Sequence, residues 1–221
     1  MTIGFIGAKA AGKSTAFDYL SRMFSNLNEV MIAKRLKQVS SRVLLLSEEA
    51  FSDPAIKEKR FDKPNILTEA DVTYILTQFG LWANPAARDS IASHIGVSLE
   101  TPRAAAQYIG TQIIRAVDPL AHLRCAEQSF DPDKINIITD IRFQNEFDFF
   151  KKKYDKFLTY YIQNNKAEEI ADKDFHASER ERASLSKQCD YTLYNNDTFG
   201  LFYMQLEPMV HTIYNMGGKF R

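Results

Sequence analysis

Apolar residues along the chain keep two rhythms that alternate. Ile3-Gly4-Phe5-Ile6 is a short continuous apolar run, whereas Phe17, Leu20 and Phe24 recur at helical spacing, so the chain opens as strand, glycine loop and helix. Val30 to Ala33 predicts a second strand. The one-sided spacing of Leu36, Val39, Val43 and Leu46 predicts a helix after it. Residues 47–67, with Pro54, Pro64 and mixed charges, read as an exposed connection or short helices. Thr68 caps a helical pattern at Val72, Ile75, Leu76 and Phe79, with Asp71 three residues after the cap. Thr101-Pro102 opens another helix, since threonine caps and proline is tolerated at the first helical position. That helix should run to about Val117 and stop before Asp118-Pro119.

The second half repeats the alternation. Ile135 to Thr139 predicts a strand ending at Asp140, Phe147 and Phe150 a helix, and Phe157 to Ile162 another strand. Residues 163–187 are polar and densely charged. Tyr191 to Tyr194 then reads as a strand, and Phe202, Leu206, Met209, Val210 and Ile213 as a closing amphipathic helix. Strands alternating with helices predict an α/β fold with a parallel sheet covered on both faces.

Composition narrows the function classes. A chain of 221 residues suits one α/β domain with an insertion better than two full domains. Its formal net charge of zero gives no global field for a nucleic acid polymer or an anionic membrane, so neither is an expected partner. Cys125 and Cys189 are far apart and outside any CxxC pair, which suits a reducing, cytoplasmic setting. The opening apolar run is too short for a signal sequence, and no stretch has the length of a membrane span. The Leu44-Leu45-Leu46 run reads as core or as an interface, leaving a homodimer open.

The most specific chemistry lies at the start. Gly7-Ala8-Lys9-Ala10-Ala11-Gly12-Lys13-Ser14 fits G-x-x-x-x-G-K-[ST] without a mismatch, between a predicted strand and a predicted helix. Glycines let successive backbone N–H groups turn inward as an anion nest at a helix N-terminus. Residues Gly7 to Thr15 are therefore the expected ATP-phosphate site. Lys13 would reach the β and γ phosphates and Ser14 would offer its hydroxyl to Mg²⁺. Lys9, inside the loop, either approaches phosphate or stands exposed. Asp140 ends an apolar strand, where a P-loop protein keeps the carboxylate of the Mg²⁺ shell, although a terminal Asp is also ordinary turn chemistry. Arg142, two residues on, would project from the same edge toward transferring phosphate.

A wider set of residues carries a resemblance. Lys34-Arg35-Leu36-Lys37, Thr101-Pro102-Arg103 with Gln107 and Gly110-Thr111, Asp118-Pro119, Thr139-Asp140-Ile141-Arg142-Phe143 with Asn145-Glu146, His176-Ala177-Ser178-Glu179, and Asn195-Asn196-Asp197 occur in that order. Together with the P-loop they resemble the deoxynucleoside monophosphate kinases of bacteriophages over nearly the whole chain. The resemblance implies transfer of the ATP γ-phosphate to a deoxynucleoside monophosphate. It also implies the P-loop nucleotide-kinase fold: a five-stranded parallel sheet, an acceptor-binding region over about 34–124 and a lid over about 163–187, all in one domain. Arg103, Gln107, Gly110 and Thr111, with Lys37, would bind the acceptor. Residues 103, 107, 110 and 111 share a helical face, where Arg103 could grip phosphate and Gln107 a base edge; a solvated arginine and a packing glycine are the plain alternative. Ala104, His122-Leu123 and Gln163 depart from the family, where a second basic residue, a tryptophan and an arginine are common. The base preference is thereby left open. By analogy of fold the adenine would lie near Asn195 and Asp197.

Water competes with the acceptor for the γ-phosphate, so a lid would serve this chemistry. Arg180 and Arg182 lie in that segment. Either could neutralise charge on the transferring phosphoryl group, or both could belong to a solvated helix face balanced by Glu179 and Glu181. His176 is expected to position the lid by hydrogen bonding, because a phosphate acceptor is already anionic and needs no strong base. His94 and His211 are expected to be structural or exposed. No His/Cys cluster has metal-ligand spacing, so Mg²⁺ arriving with ATP is the only metal expected.

Overall fold

Five consecutive buried residues make a first strand that can only be interior, and the rest of the architecture is arranged around it. This computed structural model describes residues 1–53, 55–171 and 177–221, the last from backbone alone over 177–180. In chain order the elements begin with β1 (Thr2–Ile6), α1 (Lys13–Met23), β2 (Leu27–Val30) and α2 (Lys34–Leu44). A 3-10 turn at Glu48–Phe51 leads to β3 (Asn65–Ile66), α3 (Glu69–Gln78), α4 (Ala86–His94) and β4 (Ser98–Leu99). Next come α5 (Pro102–Tyr108), a π-helical stretch (Ile109–Arg115) that continues it, and α6 (Ala121–Glu127). The chain closes with β5 (Ile135–Ile141), α7 (Gln144–Lys153), β6 (Phe157–Gln163), α8 (Asn165–Ala171), α9 (Ala177–Ser186), β7 (Tyr191–Tyr194) and α10 (Phe199–Asn215). Two compact units divide the chain: Met1–Met31 with Ser129–Arg221, and Ile32–Gln128.

The first unit holds a five-stranded sheet in the order β2-β5-β1-β6-β7, parallel at every pairing. Ile3 and Phe5 of β1 join Ile137, Tyr160 and Ile162 on one face, against Leu20 from α1, Phe24 just past it, and Phe202, Leu206, Met209 and Ile213 from α10. The α10 residues are spaced four, three and four apart, which keeps them on one stripe. On the opposite face Phe147 and Phe150 of α7 meet the Phe157 ring, at 6.3 and 6.2 Å between centroids. A sheet covered on both faces explains why β1 and β5 read as continuous apolar runs.

The second strand lies three residues earlier than its apolar residues suggested, over Leu27–Val30 rather than Val30 to Ala33. Its polar residues find partners in β5. Asn28 Nδ2 donates to Asn136 Oδ1 at 2.7 Å, and Thr139 Oγ1 donates to Glu29 Oε1 at 2.8 Å.

The second unit is largely helical, with the antiparallel pair β3-β4. Val39, Val72, Ile75, Leu76, Ile109 and Ile113 form its centre. Thr68 caps α3 as expected, in a capping box with Asp71. The helix opened by Thr101-Pro102 does run to Val117, but its second half changes to π geometry. Leu44 is buried while Leu45, in the left-handed region at φ 54°, is 84% exposed. No helix of the described residues is long and apolar enough to cross a membrane.

Candidate phosphate-binding site

The central strand β1 ends at Ile6 between β5 on one flank and β6 on the other, and the connections β1 to β2 and β5 to β6 leave this point in opposite directions across the sheet. In open parallel sheets such a switch point leaves a crevice beyond the strand ends. The loop that fills this position turns sharply. Gly7, Ala10 and Gly12 have φ values of 149°, 66° and 108°. A Cβ on Gly7 would strike the Ile162 carbonyl oxygen, and one on Gly12 the Asn195 amide. Both glycines are thus required by approach as well as by conformation.

Gly12 is also the N-cap of α1 and brings no side chain to cap it; the first intrahelical bond is Ala16 N–H to the Gly12 carbonyl at 2.9 Å. The first turn of α1 therefore keeps donors and a positive helix end available to an anion. Lys13 Nζ curls across the loop and donates to the Gly7 and Ala8 carbonyls, each at 2.7 Å. Lys9 and Ser14 are exposed, and Ala8 and Ala11 are buried beneath the loop.

β5 pairs with β1 such that Ile141 stands opposite Ile6. Asp140 consequently lies beside the end of β1, part-exposed between the buried Thr139 and Ile141. Arg142, just beyond the strand, is exposed. The P-loop, Asp140 and Arg142 are in this way brought to one end of the sheet. Backbone donors, an ammonium, a hydroxyl and a carboxylate at one place fit a magnesium-bound triphosphate. When bound, Mg²⁺ would neutralise phosphate charge, with Ser14 and Asp140 as the protein groups able to serve its shell. Among the described residues no group of three His, Cys, Asp or Glu side chains is arranged to hold a metal by itself.

Two supports of this site were not found from the sequence. Asn195, expected near the adenine, turns its amide to the loop and donates from Nδ2 to the Ala11 carbonyl at 2.8 Å. Its own carbonyl accepts from Asn164 Nδ2, and its N–H donates to the Gln163 carbonyl at 2.8 Å. Glu146, only 2% exposed, accepts the N–H groups of Arg142 and Phe143 at 2.8 and 3.2 Å. The Asn-Glu pair was visible in the motif, but its bonding depends on a turn that sequence does not specify.

Arg182 is held within the fold. It is buried, its Nη1 donating to Tyr161 OH at 2.9 Å and lying 3.2 Å from Glu168 Oε1. Tyr161 OH donates in turn to Glu168 at 2.6 Å. Burial, with the Glu168 hydrogen bond next, pushes the Tyr161 phenol above its usual range. His176 and the Arg180 side chain lie outside the described residues.

The expected acceptor residues all belong to the second unit. Arg103 starts α5 and pairs with Glu58 at 2.8 Å, while its N–H donates to the Lys57 carbonyl at 2.9 Å. Lys37 Nζ donates to Ser52 Oγ at 2.9 Å. Both cations therefore lean on the segment that contains Ser52, Lys57 and Glu58. Gln107 is part-exposed and Thr111 exposed, but Gly110 is buried, where a Cβ would come within 2.9 Å of Leu36. His122 is buried beneath it, edge-on to Phe79 at 5.0 Å, its Nε2–H donating to the Gly110 carbonyl at 3.3 Å. Burial above all, and then the Arg115 charge, lowers its pKa to about 4. His94 is part-buried against Tyr108, with Nδ1 2.8 Å from the phenol oxygen, and burial lowers its pKa too.

No protein-family model matches the chain. A provisionally named deoxynucleotide monophosphate kinase of Acanthamoeba polyphaga mimivirus is 29% identical over 219 residues, covering 92% of this chain and 93% of that protein. Among solved structures, dephospho-CoA kinase from Campylobacter jejuni aligns at 14% identity and a TM-score of 0.43, over 98% of both chains. TT1252 from Thermus thermophilus aligns at 12% identity and a TM-score of 0.45, over 96% and 97%.

Proposed function

We propose that this protein is a P-loop kinase that transfers the γ-phosphate of ATP to a deoxynucleoside monophosphate, giving the diphosphate. The donor half rests on the glycine-dependent nest at Gly7–Ser14, set at the switch point of the sheet beside Asp140. The acceptor half draws on the mimivirus relative, which matches nearly end to end and carries a deoxynucleotide monophosphate kinase name.

Phosphoryl transfer asks little covalent chemistry of a protein; it asks for alignment and for neutralisation of charge. Lys13 would leave its carbonyl partners for the β and γ oxygens, since a charged acceptor binds an ammonium more strongly than a carbonyl does. Arg142 would meet charge developing on the transferring group. Arg103, Gln107 and Thr111, with Lys37, would hold the acceptor. The Arg103–Glu58 pair is half in solvent and worth about 0–1 kcal/mol, so a phosphate able to accept two parallel bonds can displace the carboxylate.

The deciding assay incubates purified protein with Mg-ATP and each common deoxy- and ribonucleoside monophosphate, with dephospho-coenzyme A and uncharged nucleosides alongside. Diphosphate formed from at least one deoxynucleotide, at higher kcat/KM than from any other acceptor, is the expected result. Turnover of a nucleoside or of dephospho-coenzyme A alone would replace the proposed acceptor. ATP binding with no transfer to anything would end the kinase reading in favour of a nucleotide-driven switch.

A further inference from the structure

The turn that carries Asp140 and Arg142 needs support, because it ends a buried strand and starts a helix within a few residues. The N–H groups of Arg142, Phe143 and Gln144 come at the N-terminus of α7, where no intrahelical carbonyl is in reach. Glu146, inside α7, takes the first two. The third is taken from elsewhere: Gln144 N–H donates to Glu181 Oε2 of α9 at 2.6 Å. Two carboxylates thus hold three consecutive backbone donors, with Arg142 first among them. The positive end of α7 strengthens both contacts.

An ordinary N-cap belongs to the residue just before its helix, and losing it affects that helix alone. Here the carboxylate comes from α9, inside the charged segment that sequence reading assigned to a lid. Further bonds hold α9 at the same point. Gln188, just past its end, exchanges side-chain hydrogen bonds with Gln144, at 3.0 Å in one direction and 2.8 Å in the other. Arg182, the neighbour of Glu181, is engaged with Tyr161 and Glu168. The position of α9 and that of the Arg142 turn are therefore set together.

We infer that Glu181 is a positioning residue for Arg142, fixing through the Gln144 N–H the backbone from which that guanidinium projects. The inference rests on the kinase reading for its effect on rate, but the bond itself is testable without activity. Glu181→Ala should lower kcat about tenfold while leaving KM for ATP and for the monophosphate within about twofold, as a small misplacement of a transition-state group does. Glu181→Gln should restore most of the rate, since its amide oxygen still accepts. Adding Glu181→Ala to Arg142→Ala should cost nothing further, because the two act as one unit. Multiplying effects in the double variant, or a glutamine variant as slow as the alanine one, would overturn the assignment. Amide exchange provides the second readout: the Gln144 amide should exchange faster in Glu181→Ala while the β5 amides do not change. Unaltered exchange at Gln144 would overturn the inference whatever the activity. Faster exchange in a protein that phosphorylates no monophosphate would uphold the contact and discard only the kinase reading.

Discussion

Asn195 and Arg103 are polar side chains held in different ways. Asn195 touches the P-loop directly: its Nδ2 donates to the Ala11 carbonyl, which is thereby satisfied within the protein. Arg103 is part-exposed, and it pairs with a carboxylate, Glu58, that an incoming phosphate can displace. On the proposed function, Arg103→Ala should raise KM for the monophosphate by about one to two powers of ten while KM for ATP stays within about twofold, corresponding to loss of a charge-assisted bond. Steady-state kinetics with each substrate varied in turn checks this; the opposite pattern would exchange the donor and acceptor assignments. Cys189, past the end of α9, is partly buried, its Sγ–H donating to the Leu185 carbonyl at 3.3 Å. Burial pushes its thiol up to about 12, so it should resist alkylation at neutral pH until the protein is unfolded, as mass spectrometry after iodoacetamide treatment would register.

At the scale of elements, local capping sets the helix that begins with Thr101-Pro102. Thr101 Oγ1 accepts the Ala104 N–H at 3.0 Å and Pro102 fits the first turn, so the start of α5, and Arg103 with it, is anchored by local chemistry. Thr101→Ala should cost about 1 kcal/mol, seen as a lower urea midpoint with an unchanged slope. That start was legible in the sequence because capping is a local code. The π geometry from Ile109 was not, since the choice between i→i+4 and i→i+5 bonding has no local code like a cap; within that stretch Gly110 is buried and Thr111 exposed, so the four residues read as one face differ in exposure. β1 and β5 were legible for the opposite reason, being buried on both sides and hence uniformly apolar. β2 was misplaced because Asn28 and Glu29 are satisfied by Asn136 and Thr139, partners over a hundred positions away. The P-loop could be read residue by residue, whereas Glu181 and Arg182 could not. Their partners come from β6, α7 and α8, and only the folded chain brings them together.

For the molecule as a whole, the buried histidine sets a pH dependence. His122 has a pKa of about 4 when folded and an ordinary value near 6.5 when unfolded. Above pH 6.5 both states are neutral there and the residue contributes no slope. As pH falls below 6.5 the unfolded chain takes up a proton that the native state refuses, so stability drops, by about 2 kcal/mol at pH 5. Urea midpoints at pH 7.5 and 5.0 should show this loss, and His122→Asn should reduce it; an equal loss in that variant would assign the effect to other groups. The order of the strands has a consequence for biosynthesis. β1 is made before its neighbours in the sheet, β5 and β6, and the chain must pass through all of Ile32–Gln128 before either exists. A nascent chain at that stage carries an apolar strand with both hydrogen-bonding edges open, and its closure requires contacts of large sequence separation. On the proposed function, nucleotide binding should come late in synthesis, and chaperone occupancy on the ribosome should peak before β5 emerges.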